Sequence, residues 1–485
     1  MRELHASTTT LQWIVDAYTL VFASLLLAAG SLSDRVGRKG ILLAGLALFG
    51  MATAVGGLTT SPGQLIAARC VMGLGAAMIF PATLSLISNV FTERSERALA
   101  IGLWGASVGA AFALGPLAGG WLLEHFSWTS IFFAMAPVAA LAIALIALTV
   151  PTSRDPQAPR TDRLGVLLST AGMGLLTYTI IEAPARGWDS ARTLVGLALA
   201  AALLGAFIGW QRRASEPLLD VGLFRNLRFT AASGSVTIVF FALAGFIFMI
   251  TQYFQFLKGY GPLSTGVHLL PVASSVAVTS VLGTKLAVRY GTKLVVVAGL
   301  LLLVAFFAWV STFSAGTSYL EIAVLMVVGG TGTGFTSAPA TEAIMGVVPK
   351  AKAGVGSAVN DASRLVGATL GVAVIGSVYN SLFASRLTAS LPAGVPGPAA
   401  QTAHSSVGAA LEVAHRTAIA GDPGVGAQLH DAASSAFLSG LSAGCLVAAG
   451  VSAIAAIMAA ALLPAQPLGT EQQLVQVATQ PVSAD

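Results

Sequence analysis

The stretch GSLSDRVGRKG, residues 30–40, separates two long apolar runs. Gly30 and Gly37 permit a tight turn and a close approach between helices, and Asp34 can face the N-terminus of a helix. The same stretch carries three basic side chains that suit the anionic surface of a membrane: Arg35, Arg38 and Lys39. It therefore predicts a short basic turn between two helices that cross a bilayer.

The composition extends this prediction to the whole chain. Of the 485 residues, 55% are hydrophobic and only 9% are charged, and the mean hydropathy is +0.83. This leaves too little polar surface to cover a soluble protein. The apolar runs are continuous, whereas strands of a membrane barrel alternate in polarity, so we predict an all-α polytopic membrane protein. Thirteen runs are long enough to span, at 11–33, 41–60, 62–91, 96–123, 128–150, 163–183, 191–211, 227–257, 262–288, 293–314, 318–348, 354–383 and 433–463.

The basic residues of the loops predict an orientation. If the loop at 34–40 is cytoplasmic, most loop arginines and lysines fall on the same side, as the positive-inside rule requires. With thirteen spans we then expect the C-terminus in the cytoplasm and the N-terminus outside, in the cytoplasmic membrane of a bacterial cell. The basic residues are scattered and form no patch, so nucleic acid is not an expected partner.

Two further stretches carry small residues at helical spacing. LIAARCVMGLGAAMIFPA at 65–82 places Arg69 inside an apolar helix, and GASVGAAFALGPLAGGW at 105–121 follows two helices after the basic turn. Small residues four apart let two helices approach closely, and a proline bends its helix. The residues in question are Gly105, Gly109, Gly115, Pro116, Gly119 and Gly120.

Together these stretches resemble the major facilitator superfamily, and 105–121 resembles the antiporter motif of its proton-coupled drug exporters. The stretches at 217–232, 252–273 and 353–377 resemble the fourteen-helix drug:proton antiporter branch of EmrB/QacA-like exporters. The resemblance implies a major facilitator fold of two helical bundles flanking two linker helices. It also implies that the first of fourteen helices is missing, because residues 1–13 resemble the loop that usually follows it.

The resemblance and the loop composition together predict the domain boundaries. A weak internal repeat, in which GTKLAVRYGTK at 283–293 echoes residues 30–40, supports two bundles. A segment rich in glycine and proline is expected to be poorly ordered. We expect an N-terminal bundle at 1–150, a connector with two extra helices at 151–215, a C-terminal bundle at 216–383, that poorly ordered external loop at 384–432, a last helix at 433–463 and a cytoplasmic tail at 464–485.

Charged residues inside a membrane cost about 2.5–3.5 kcal/mol each and usually mark function or pairing. Asp16 lies in WIVDAY, which matches a helix of the family whose acidic residue is associated with cationic drugs and protons. Asp361 and Arg364 lie three apart on one helical face, so they either pair with each other or serve the transport path. Glu182 and Glu321 fall at helix ends and are expected to be solvated. The predicted coupling residues are Asp16, Arg69, Glu342 and Asp361.

The resemblance implies a proton-coupled exporter of lipophilic, cationic drugs or antibiotics that works by alternating access, with the drug and protons competing for Asp16. Such a protein needs a drug-like substrate, protons and a lipid bilayer, acts as a monomer and uses no cofactor. No phosphate-binding loop of the ATPase type occurs. Two alternatives stay open, export of a neutral metabolite or self-made antibiotic, and a transport-dead membrane protein. An enzyme is disfavoured, because no paired nucleophile and base or histidine cluster is visible.

Overall fold

The computed structural model describes residues 8–152, 162–215, 217–392, 394–404, 406–420 and 422–464. Within these ranges the chain forms sixteen α-helices. They are α1 (Thr8–Val36), α2 (Arg38–Gly57), α3 (Pro62–Val90), α4 (Arg94–His125), α5 (Thr129–Thr149), α6 (Arg163–Arg186), α7 (Ala191–Gln211), α8 (Leu227–Gln252), α9 (Pro262–His268), α10 (Leu270–Tyr290), α11 (Thr292–Val310), α12 (Tyr319–Val347), α13 (Ala353–Ser390), α14 (Gly397–His404), α15 (Val407–Ile419) and α16 (Pro423–Leu462).

Thirteen helical segments of the described chain are long and apolar enough to cross a bilayer, which confirms the predicted number of spans. One of them, Pro262–Tyr290, combines α9 and α10, which meet at Leu269. Another, Leu227–Leu257, continues α8 into a π-helical turn at Tyr253–Leu257. The all-α prediction is therefore confirmed for the part of the chain that the structure describes.

The helices form two bundles. Helices α1–α5 make the first, and α8–α13 with α16 make the second, while α6 and α7 pack against each other beside them. The bundles meet along two seams: α13 lies against α1 and α3, and α4 lies against α9, α10 and α12. Helix α6 also lies against both α1 and α13, and the indole of Trp188 donates a hydrogen bond of 2.7 Å to the hydroxyl of Ser377. The linker pair therefore covers one seam between the bundles.

A carboxylate outside the membrane-crossing segments holds α6 and α7 together. Asp162 caps α6 by accepting the N–H of Gly165 at 2.8 Å. It also accepts hydrogen bonds from the side chains of Trp210 at 2.8 Å and Gln211 at 2.7 Å, at the end of α7. Partial burial by itself raises the pKa of Asp162, but these hydrogen bonds stabilise the charged form and outweigh it. The pKa of Asp162 consequently lies below its ordinary value of 3.8.

The segment at 384–432 differs from its prediction. Helix α13 continues to Ser390, α14 and α15 follow, and α16 begins at Pro423, so the expected poor order is wrong for the described residues. The hydroxyl of Ser406 caps α15 by accepting the N–H of Ala409, and one apolar face of α15, including Val407 and Ala414, is buried. A capped helix with a buried face is stable despite the many small residues. Residues 1–7, residues 153–161 at the start of the connector and nearly all of the predicted tail lie outside the described residues.

The same backbone turn recurs in the two bundles. Gly37 precedes α2 with φ of 121°, and Gly291 precedes α11 with φ of 94°. Side chains other than glycine rarely adopt such angles. The turn at 30–40 and its echo at 283–293 thus join their helices in the same way, although the second lacks an acidic residue.

Candidate functional site

One end of the two bundles carries the connections α1–α2, α3–α4 and α12–α13, and is called the basic end; the opposite end is called the far end. At the basic end Asp34 of α1 reaches the first turn of α13. Each carboxylate oxygen of Asp34 accepts the N–H of Gly354 at 2.9 Å, and Oδ2 also accepts the N–H of Val355 at 3.2 Å. The negative charge thus satisfies the free N–H groups of a helix N-terminus in the other bundle.

Arg38 extends this contact. Its side chain is buried and lies 2.7 Å from Asp34. It also donates hydrogen bonds to the carbonyl oxygens of Lys350 at 2.8 Å and Ala351 at 3.3 Å. The amide of Asn89 donates to the same Lys350 carbonyl. Of the other basic residues in the turn, Lys39 bonds the Ala147 carbonyl within its own bundle and Arg35 is exposed at the surface.

The glycine that opens the turn brings the two bundles into backbone contact. A Cβ atom on Gly30 would lie 2.5 Å from the carbonyl oxygen of Gly354 and 2.7 Å from the Cβ of Ala358. A Cβ on Gly354 would in turn collide with the carbonyl oxygen of Gly30. The geometry agrees with the close helix approach predicted for Gly30, and it shows that α13 is the helix approached.

A second contact closes the basic end. The carboxylate of Glu342 on α12 is buried, with 3% of its side chain exposed, and lies 3.4 Å from Arg228 at the start of α8. From the other bundle, Arg94 and Arg97 at the start of α4 approach it to 3.6 and 3.7 Å. The structure therefore places Glu342 in an ion-pair cluster between the bundles, at the basic end.

A chain of polar groups is buried deeper between the bundles. The Arg364 guanidinium donates hydrogen bonds to the hydroxyls of Thr341 at 3.0 Å and Ser337 at 3.3 Å. Thr341 donates to the Asn360 amide oxygen at 3.0 Å, and the Asn360 amide donates to Asp361 Oδ1 at 3.3 Å. No direct ion pair joins Asp361 and Arg364 in the described structure, so the first of the two alternatives, direct pairing, is not observed, and neutral groups connect the two side chains instead.

The guanidinium of Arg364 also contacts two aromatic rings. It lies over the ring of Trp104 in the first bundle, 4.4 Å from the centroid, and over the ring of Phe240 in the second, at 4.7 Å. The Trp104 indole is held by a hydrogen bond of 3.3 Å to the hydroxyl of Thr83. At the usual helical rise, Trp104 lies roughly 15 Å from the start of α4, about half-way across a bilayer core.

The remaining coupling candidates lie near the far end. Asp16 precedes the last residue of α1 by twenty positions, which corresponds to roughly 30 Å of helix. It is partly buried, and Glu182 of α6 is the charged neighbour that acts on it. Arg69 donates a hydrogen bond of 2.8 Å to the carbonyl of Ile14 and stacks over the Tyr18 ring. Asp16, Arg69, Glu342 and Asp361 thus occupy three separate levels of the protein.

Only part of the glycine-rich stretch at 105–121 makes close contacts between bundles. A Cβ on Gly105, Gly109 or Gly120 would lie 2.7–3.1 Å from residues of α9 or α10. Pro116 contacts α9 at Gly266, where an added Cβ would lie 3.0 Å from the proline ring. A Cβ on Gly115 or Gly119 would meet no atom within 4 Å. The stretch therefore packs α4 against the second bundle through one face.

Sequence reasoning missed several residues that complete these contacts. The arginines around Glu342 are at helix starts and were counted among the loop charges, and Trp104 and Phe240 were not among the predicted site residues. The sequence pointed only to the arginines, because basic side chains at helix N-termini are unfavourable unless an anion lies nearby. Among the described residues, no group of three histidine, cysteine, aspartate or glutamate side chains is arranged to hold a metal ion.

Comparison with known sequences identifies the family. The profile described as Major Facilitator Superfamily matches residues 1–372, more than half of the chain. The chain belongs to the major facilitator superfamily. Within that superfamily it is 35% identical to the multidrug efflux pump LfrA of Mycolicibacterium smegmatis over 447 residues, which cover 92% of this chain and 87% of that protein. It is 33% identical to the tetracenomycin C resistance and export protein of Streptomyces glaucescens, over 96% of this chain and 87% of that one.

A solved structure supports the same fold. The human organic anion transporter MFSD10 superimposes with a TM-score of 0.58 at 15% sequence identity, covering 92% of this chain and 83% of that one. At this identity the likeness concerns the fold alone. The chain is accordingly a multi-pass membrane protein of the major facilitator superfamily, and the predicted family is confirmed.

Proposed function

We propose that this protein exports lipophilic cations, such as drugs or antibiotics, in exchange for protons. The names of its relatives support export of drugs and antibiotics. The observation that carries the proposal is the polar relay from Arg364 to Asp361, which is buried between the bundles beside two aromatic rings. A titratable carboxylate and aromatic faces at mid-depth are what an exchanger of protons for organic cations requires.

Alternating access is supported by contacts that join the two bundles at one end and that must break for this end to open. The described structure is closed at the basic end by the Asp34 contact with α13 and by the Glu342 cluster. Opening that end requires breaking both, and charged groups separated from their partners then face water. We place the basic end in the cytoplasm by the positive-inside rule, which also places the end of α16 there. In this orientation the structure is the state that is closed to the cytoplasm.

Protons entering from outside supply the energy for export. Exchange of one proton for one singly charged cation moves no net charge, so the pH difference across the membrane is the driving force: one pH unit corresponds to about 1.4 kcal/mol and supports a roughly tenfold gradient of the cation. Asp361 is the buried acceptor on this path, and Asp16 is a carboxylate nearer the outer end. We further propose that the protein acts as a monomer and needs no cofactor.

Transport by reconstituted protein tests the proposal. The purified chain is placed in proteoliposomes with an imposed pH gradient, and the movement of ethidium, a planar lipophilic cation, is followed by fluorescence. Proton-driven movement is expected for the unchanged chain and for Asp431→Asn, a matched control whose carboxylate is exposed. Asp361→Asn is expected to abolish it.

The open alternatives predict other outcomes of the same assay. Movement of an uncharged aromatic compound without movement of ethidium identifies an exporter of neutral molecules. No movement of either compound, by protein that elutes as a single folded species, identifies a chain that does not transport them.

A further inference from the structure

The two rings over which Arg364 stacks are more exposed than Arg364 itself. Arg364 is 8% exposed, whereas Trp104 and Phe240 are each only partly buried. Part of the surface of each of these two residues therefore stays uncovered. Trp104 belongs to the first bundle and Phe240 to the second, so any group lying over both rings touches both moving parts of the transporter.

A guanidinium is a flat, delocalised cation, and aromatic faces attract such cations most strongly when water is excluded. Resting on the proposed function, we propose that Trp104 and Phe240 form the binding slot for the planar cationic part of the substrate, and that Arg364 occupies this slot when no substrate is bound. The slot selects planar, delocalised organic cations, because it holds a planar delocalised cation in the described structure.

Arg364 has a second position available to it. Asp361 lies three residues earlier on α13, the spacing at which side chains of one helix face meet. Asp361 Oδ2 and Arg364 Nε are buried atoms without a hydrogen bond of good geometry among the described residues, and the Ser357 hydroxyl, one turn earlier on α13, is the polar group that acts on the Asp361 carboxylate from that side. A change of side-chain rotamer that brings Asp361 Oδ2 and Arg364 Nε together satisfies both and leaves the aromatic slot empty. In the observed position over the rings, Arg364 is held by the hydrogen bonds that connect it to Thr341 and Thr341 to Asn360.

The protonation of Asp361 selects between these positions. With a proton on the carboxylate, the attraction is lost and Arg364 stays over the rings. When the proton leaves to water in the cavity, the carboxylate draws Arg364 away and a substrate cation enters the slot. One proton is released for each cation bound, and the charge between the bundles is unchanged. Proton and substrate thus exclude each other although they bind different groups, with Arg364 as the positioning residue between them.

No other described charge faces this pair. Among the described residues, Asp361 and Arg364 are each the only charged group that acts electrostatically on the other. On the helices packed against α13 and α4, the other buried or partly buried charges lie toward one end of the bundles or the other. At the basic end these are Asp34, Arg228 and Glu342, and toward the far end Asp16, Arg69 and Glu182.

Equilibrium binding of ethidium to the purified full chain in detergent tests the proposal. Fluorescence anisotropy gives the Kd at acid and at alkaline pH. The unchanged chain is expected to bind more weakly at acid pH. Arg364→Gln is expected to bind about tenfold more tightly at acid pH and to lose the pH dependence, because the slot is always free. Asp361→Asn is expected to bind weakly at every pH.

The double variant separates this proposal from direct competition at the carboxylate. If Arg364 mediates the exclusion, Asp361→Asn combined with Arg364→Gln restores tight binding. If substrate and proton compete for Asp361 itself, the double variant stays as weak as Asp361→Asn, and that result overturns the proposal. Proton release gives a second readout, since binding in weakly buffered solution is expected to release protons from the unchanged chain and not from Arg364→Gln.

Three controls complete the experiment. Trp104→Ala is expected to weaken binding in every background, and unchanged binding there removes the slot. Arg416→Gln alters an exposed arginine and is expected to bind like the unchanged chain. If Arg364→Gln does not fold, Arg364→Met repeats the measurement with an apolar chain of similar length. If the double variant regains binding but the unchanged chain shows no proton-driven transport in proteoliposomes, the export proposal alone is contradicted. If the unchanged chain transports but the double variant does not regain binding, the slot alone is contradicted.

Discussion

Asp34 and Gly354 are joined by two hydrogen bonds of 2.9 Å, although 320 positions of the chain separate them. The carboxylate is on α1 of the first bundle and the N–H group is in the first turn of α13 of the second. Because the acceptor is charged and the donor is at a helix N-terminus, this contact is stronger than one between neutral groups. The two bonds share one N–H group, and they favour a closed basic end.

Asp34→Asn is expected to shift the protein toward an open basic end. Loss of the charge removes roughly 1.5–3 kcal/mol of hydrogen bonding, which changes the ratio of closed to open molecules at least about tenfold. Distances between spin labels at Glu93 and Lys350, on opposite bundles, are expected to lengthen. Asp431→Asn serves as the control, and an unchanged distance distribution in Asp34→Asn would contradict the closing role.

The glycine-rich stretch on α4 yields a matched pair of substitutions. A Cβ on Gly109 would lie 2.7 Å from the backbone nitrogen of Ala277, whereas a Cβ on Gly119 would meet nothing. We expect Gly109→Ala to lower the free energy of unfolding by about 1–3 kcal/mol, or to separate α4 from α10. Gly119→Ala is expected to be neutral or slightly stabilising, because alanine favours a helix. Thermal unfolding in detergent measures both, and equal effects would refute the difference between the two faces.

Asp16 stays a predicted coupling residue, now located near the far end beside Glu182. We expect Asp16→Asn to abolish export of cationic dyes without reducing the amount of protein in the membrane. Ethidium binding at the slot is expected to survive, because Trp104 lies well below Asp16 in the bundle. Glu182→Gln, at a carboxylate already paired with Arg186 at 3.0 Å, is the comparison. Dye export that is unchanged in Asp16→Asn removes Asp16 from the mechanism.

Asp162 predicts a pH dependence of stability. Its pKa is lower in the folded protein than its ordinary value of 3.8, so the charged carboxylate stabilises the folded state above that pH, and this stabilisation is lost as the pH falls through the lower folded value. Asp162→Ala is expected to cost about 1 kcal/mol near neutral pH through loss of the cap. The difference in Tm between the two proteins should shrink below pH 3.8. A difference that stays constant on acidification would show that the charge is not involved.

The spans were predictable because the signal for them is local. Each apolar run carries its own length and hydropathy, and a bilayer of fixed thickness selects runs of about 20 residues. The turn at Gly37 was likewise readable, since a positive φ demands glycine at one position. The helices at 397–419 were missed because small residues hide a helix whose stability comes from Ser406 and from packing against α16.

The sequence by itself determined that thirteen segments of the described chain are long and apolar enough to cross a membrane, that a basic turn joins the first two helices, and that the chain belongs to a family of transporters. These properties depend on residues close together in the chain. Only the tertiary structure decided which buried charges meet. Asp34 reaches α13, Glu342 meets arginines of both bundles, and Arg364 lies over Trp104 rather than against Asp361. Such partners are far apart in sequence, and burial makes each charge depend on whichever groups the packing brings to it.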